Sequence, residues 1–187
     1  MTHNEIVMIY IRYSRIANDM LRPQDVLVLL KLTTLWPQTW TYASLATSLG
    51  MSASEVHAAI RRTTQAGLFS ESARTAIQPE LGAFLIDGVP YVFYAEQGGM
   101  TKRGLLTGFA APVLDGPDSG PPSDLNVWPD ASGIDSGRII KPLYRSVPYA
   151  ARQDPMLYRL LCLVDELRIG RARERNRATE MIREALC

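Results

Sequence analysis

Few of the 187 residues have the types and spacing that bond-making chemistry requires. The two histidines, His3 and His57, have no cysteine or carboxylate at the intervals that close around a metal ion. Gly98 and Gly99 are not followed by the lysine–serine or lysine–threonine pair of a phosphate loop, and no base is placed to activate the many serines. Cys162 lies in an apolar helical run, where a thiol acts as a small hydrophobe, and Cys187 is a bystander, so neither a disulfide framework nor a metal site follows. The expectation is a protein that is not an enzyme, with no cofactor and no metal, in the reducing cytoplasm.

The chain offers instead a set of polar side chains in helical register. Ser54, His57, Ala58, Arg61 and Gln65 fall three and four residues apart, with Ser52 just ahead of them, while Val56, Ala59, Ile60 and Thr63 point the other way. A helix about 10 to 12 Å across fits the major groove of DNA, where small polar side chains near its start approach base edges and arginine takes guanine or phosphate. Ser52, Ser54, His57 and Arg61 are therefore the candidate contacts in the groove, with Gln65 on the same face and Arg62 as a candidate phosphate contact.

Local punctuation positions this helix. Thr41 caps a first short helix whose Tyr42, Leu45, Ala46 and Leu49 make one apolar stripe, and Gly50 suits the reversal that ends it. Ser52 with Glu55 forms a capping box that restarts the chain as a second helix, which runs to the stop at Gly67. Ahead of the pair, Pro23 opens a helix to about Leu35 with Val26, Leu29, Leu30 and Thr33 facing a core. Trp36 and Trp40 pin the turn that follows.

The stretches LRPQDVLVLLKL, WTYASLATSLGMS and SEVHAAIRRTTQAGLF together resemble bacterial winged-helix regulators of the MarR-like kind, over residues 21–69. The resemblance implies a winged helix-turn-helix, here divergent, and a sequence-specific DNA-binding transcription regulator, a repressor, that acts as a homodimer on double-stranded DNA. The same layout also serves interaction proteins. An antitoxin-like winged helix that holds a protein partner and also represses its own promoter is the alternative. In MarR-like proteins a helix at the position of residues 1–20 joins C-terminal helices in the dimer; plain core packing is the other reading of that segment. Arg12 and Arg15 interrupt its apolar run well short of the ~20 residues that span a bilayer, so no membrane is expected.

Beyond Phe69 the sequence departs from the MarR pattern. Residues 70–78 make poor strand material, Pro79 starts a short helix ending at Gly88, and the wing is expected at 90–109, with Gly98 and Gly99 as its turn and Lys102 and Arg103 near its tip on phosphate. Residues 112–137, rich in proline, glycine, serine and aspartate, read as a loop or linker onto which Val127 and Trp128 dock. Asp154 and Pro155 then open a helix with Leu157, Leu160, Leu161, Val164 and Leu167 on an apolar side, followed after Gly170 by one using Ala178, Met181, Ile182 and Leu186. Between them Arg168, Arg171, Arg173, Arg175 and Arg177 stand against one glutamate. They suit phosphate, an acidic partner, or a solvated helix with ion pairs.

The predicted fold is thus mainly α with a small β-hairpin. It comprises an N-terminal helix (1–20), a winged helix-turn-helix (21–111), a linker (112–137) and a C-terminal helical region (138–187). The net charge of +1 gives no global pull on nucleic acid, so any attraction must be local.

Overall fold

Pro23 at the first turn and Asp25 two residues on start helix α1 (Pro23–Leu35) in the computed structural model, which describes residues 20–114 and 125–186. The segment expected to form the N-terminal helix lies outside these residues. The Asp25 carboxylate accepts the Arg22 backbone N–H at 2.9 Å, which satisfies one of the orphan donors of the helix start. Val26 through Lys31, and Leu32, are buried, so α1 is enclosed on nearly every side instead of showing a single stripe.

Helices α2 (Tyr42–Leu49) and α3 (Ala53–Gln65) follow at the places their caps dictate. The Thr41 hydroxyl accepts the Ser44 N–H, and the Ser52 hydroxyl accepts the Glu55 N–H. Between them Gly50 adopts φ +60, and a Cβ there would meet the Tyr149 ring at 2.9 Å, so both backbone and space demand glycine. Trp40 is buried edge-on to Tyr42 and Phe69, whereas Trp36, expected to pin the same turn, is exposed.

After α3 the chain makes a minimal antiparallel hairpin, β1 (Phe69–Ser70) with β2 (Thr75–Ala76), in the stretch judged poor for strands. Its geometry is held by one aromatic lock. The Trp40 indole donates to the Arg74 carbonyl at 2.8 Å, and the Arg74 guanidinium lies 4.4 Å from the ring centre, while Arg74 itself holds φ 52. Then come α4 (Gln78–Ala83), a π-helical turn (Phe84–Gly88) and α5 (Val89–Val92), so the helix expected to end at Gly88 continues past it.

The hairpin expected at 90–109 is replaced by a single strand, β3 (Gln97–Thr107), that runs straight through Gly98 and Gly99. It pairs antiparallel with β4 (Asn126–Pro129) and with β5 (Asp135–Ile140), while β4 and β5 pair in parallel, closing a three-stranded barrel. Closure around so few strands forces backbones together: a Cβ on Gly104 would strike Val127, and one on Gly133 would strike the Gly104 backbone. Of the glycines read as loop punctuation, Gly98 and Gly137 are strand residues in close approach, against Ile139 and the Leu125 carbonyl. Within the expected linker, β4 and the start of β5 are folded, with Val127 and Trp128 fully buried.

Helix α6 (Val147–Gln153) leads to α7 (Pro155–Ile169) and α8 (Ala172–Leu186). The Asp154 carboxylate caps α7 by accepting the Met156 and Leu157 N–H groups at 3.0 Å, and also takes the Lys31 ammonium at 2.8 Å and the Thr34 hydroxyl at 2.7 Å. Burial pushes its pKa up, but these donors outweigh burial and bring it below the usual carboxylate value. Helix α7 is buried on all sides from Leu160 to Arg168, packed by α1, α5, α6 and α8, so the regions predicted as separate share one core. The result is a mainly helical α+β fold.

Inside this core Asp165 accepts from the Thr107 hydroxyl at 2.8 Å, the Trp128 indole at 2.6 Å and the Arg168 guanidinium at 2.6 Å, tying the barrel to α7. Next to it burial raises the Glu166 pKa from 4.5 to about 6, although its carboxylate accepts the Phe109 N–H at 2.7 Å. A raised folded-state value means the native state resists ionisation. Stability is full below pH 4.5, the unfolded value, and declines as the pH rises through about 6. Glu166→Gln keeps an oxygen for Phe109 without the charge. In denaturant titrations its stability relative to wild type should climb between pH 4.5 and about 6 and stay level above.

Candidate nucleic-acid interface

The register of α3 on the body is set by a buried ion pair. Arg62 donates Nε to Asp25 Oδ2 at 2.7 Å and a second nitrogen to Oδ1 at 2.5 Å, with both side chains almost fully buried. Arg62, expected on phosphate, is therefore a core residue. Its position about a quarter-turn from the polar face puts it against α1, where only a bidentate carboxylate makes burial tolerable. Val56, Ala59, Ile60 and Thr63 are buried beside it, as their spacing predicts.

The opposite face is open. Ser52, Ser54, His57, Arg61 and Gln65 are all exposed, and the His57 ring stacks on Tyr42 of α2 with centroids 4.8 Å apart. Ser52 is committed to the helix cap: its hydroxyl donates to Glu55 Oε2 at 2.7 Å, and its N–H reaches the same oxygen at 2.9 Å. Ser54, whose hydroxyl lies 3.1 Å from that of Ser52, is presented outward together with His57, Arg61 and Gln65. Tyr42 adds an aromatic flank that core spacing alone does not distinguish from a buried residue.

The remaining expected cations are dispersed. Arg103 is exposed on β3, which packs on β4, β5 and α7, and so belongs to the barrel instead of a wing beside α3. Lys102 lies on the same strand, and its side chain falls outside the described residues. Of the arginine run, Arg168 is buried and donates to Asp165 and to the carbonyls of Phe93, at 2.7 Å, and Lys141. It is a structural group, because an arginine on the enclosed side of α7 can satisfy several buried oxygens at once. Arg177 lies over the Phe109 ring at 4.6 Å, while Arg171, just ahead of α8, and Arg173 and Arg175 on it are exposed. The run thus splits between core and solvent, as its irregular spacing around a helix requires.

One contribution comes from a segment absent from the predicted contacts. The connection between β5 and α6 returns to α2 and α3: the Tyr144 hydroxyl donates to Glu55, and the Ser146 hydroxyl donates to the Leu49 carbonyl at 2.5 Å. Tyr144 and both donors of Ser52 hold the Glu55 carboxyl down at about 2, with burial opposing and Arg145 assisting. The Tyr144 phenol is correspondingly raised. No local pattern announces this contact, since the partners are 89 residues apart.

Among the described residues no group of three His, Cys, Asp or Glu side chains is placed to hold a metal ion, and no helix is long and apolar enough to cross a membrane. The Cys162 thiol is buried and its pKa pushed well up by that burial, which keeps it protonated and unreactive. Comparisons with protein-family models, curated proteins and solved structures return no match.

Two outcomes follow. Asp25→Ala strands Arg62 in the interior and should cost about 3–5 kcal/mol in urea unfolding, whereas Asp25→Leu combined with Arg62→Met should cost much less. Because the folded value of Glu55 lies below its ordinary 4.5, its stabilisation is complete above that pH and drains as the pH falls toward 2. Tyr144→Phe should therefore narrow the gap between thermal midpoints measured at about pH 5 and about pH 2.5.

Proposed function

We propose that this protein is a DNA-binding transcription regulator of winged-helix type, in which α1, α2 and α3 form the helix-turn-helix core and α3 enters the major groove. The observation that carries this reading is the open face of α3. Ser54, His57, Arg61 and Gln65 are exposed on one side, while the other side is locked to α1 through Arg62 and Asp25.

In this reading the hairpin of β1 and β2 occupies the place of the wing, directly after the recognition helix. Its tip is a weak tool for DNA. Glu71 is exposed there, and Arg74 is held against Trp40. The regulator is a cytoplasmic homodimer in this proposal, with two recognition helices about 34 Å apart meeting a pseudo-palindrome. Arg61 reads a base or the adjacent phosphate, and Ser54, His57 and Gln65 supply the shorter polar contacts.

Selection of bound duplexes from a random pool, followed by anisotropy titrations, tests the proposal. The expected outcome is an enriched half-site and an affinity that falls steeply with salt. Arg61→Ala should cost ~1–3 kcal/mol on the selected site and relax preference at one position. Absence of any enriched sequence, or binding that ignores ionic strength, would favour the partner-holding alternative.

A further inference from the structure

If α3 reads a duplex, something beside it must grip the backbone, and the obvious candidates are taken. Arg62 is buried against Asp25, Arg74 lies on Trp40, and the hairpin tip offers Glu71. The connection from β5 to α6 supplies what is missing. Tyr144 is bonded to Glu55 at the start of α3, and Ser146 to the Leu49 carbonyl at the end of α2, so the residue between them is fixed over the junction of the two helices. That residue is Arg145, and it is exposed. Its guanidinium rests on the Tyr144 ring, 5.5 Å from the centroid, which aligns the side chain without enclosing it. Tyr149, whose ring covers Gly50, completes the support from α6.

We propose that Arg145 is a phosphate clamp: it contacts the DNA backbone flanking the groove that α3 enters, and so joins the C-terminal half of the chain to the DNA-binding surface. This rests on the reading of α3 as a recognition helix. A guanidinium offers a planar fork suited to phosphate oxygens, and anchoring on both sides means that little backbone freedom remains to be lost on binding. The contact is sequence-independent, because a phosphate presents the same oxygens beside every base. The competing role for Arg145 is to offset the Glu55 charge; a Glu55→Gln background removes that role, so that only a clamp still loses affinity there when Arg145 is replaced by alanine.

The two roles separate in a salt titration with the full chain. Wild type, Arg145→Ala, Arg145→Lys and Arg61→Ala are titrated with the selected duplex and with a scrambled duplex across a range of salt. For a clamp, Arg145→Ala weakens both duplexes alike, on the order of tenfold, and lowers the slope of log affinity against log salt by about 0.9. Arg145→Lys retains the slope. Unchanged thermal midpoints across the set confirm that the exposed substitution leaves the fold intact. If Arg145→Ala leaves slope and affinity untouched while Arg61→Ala weakens the selected duplex, the clamp is overturned and the recognition helix stands. If wild type binds neither duplex at any salt, both fall together.

Discussion

A single desolvated ion pair determines which side of α3 the protein shows to the outside. Asp25 and Arg62 are both within a few per cent of complete burial, and each satisfies the other through two hydrogen bonds. A pair of charges so placed contributes little net stability compared with apolar residues, but it is intolerant of misalignment, since any rotation of α3 would leave a charge unpartnered in the interior. Rotation is what matters here. With Arg62, about a quarter-turn on from Arg61, held against α1 and with Val56, Ala59 and Thr63 inward, Ser54, His57, Arg61 and Gln65 fall outward as one strip. Asp25 does this while also capping α1, so the start of one helix and the orientation of another depend on the same carboxylate.

The C-terminal half is no appendage to this arrangement. Helix α7 runs enclosed between α1 and α8, and Asp154 at its start takes both the lysine and a threonine of α1. At its other end Asp165 and Arg168 gather the indole of Trp128, the hydroxyl of Thr107 and the carbonyls beside α5. A carboxylate with three donors in a dry setting is costly to disturb, because losing any one donor leaves it underpaired and losing the carboxylate strands all three donors. The barrel strands are thereby bolted to the same helix that supports α1, and the connection from β5 to α6 brings Tyr144 to Ser146 back onto the turn at Gly50. Mechanical connection between the barrel and the open face of α3 is continuous through buried contacts.

Local rules explain what was legible along the chain. Thr41, Ser52 and Asp154 are caps that act within three residues of themselves, and the apolar faces of α3, α7 and α8 follow from helical spacing, so these elements and their inward sides could be read directly. The barrel could not. Its glycines look like turn signals unless the strands that press against them are known, and Gly133 and Gly137 within the expected linker serve close approach in a tightly closed sheet, where small residues are needed. The presence of Asp165 and Arg168 within an otherwise apolar run was the one available hint of a buried network, since charges at that spacing on an enclosed helix must find partners.

The sequence alone determined the capped pair of short helices, the polar strip on the second of them, and the central apolar helix, because each rests on neighbours within a turn or two. Only the tertiary structure decided that Arg62 and Arg168 are spent inside, that Arg74 is held on a tryptophan, and that Arg145 stands beside the start of α3. An arginine has the same composition and the same charge in either role. Whether it meets solvent or a carboxylate depends on what the returning chain brings against it, from 37 residues away for Arg62 and from 89 residues away for the Tyr144 that seats Arg145, and no local pattern encodes that return.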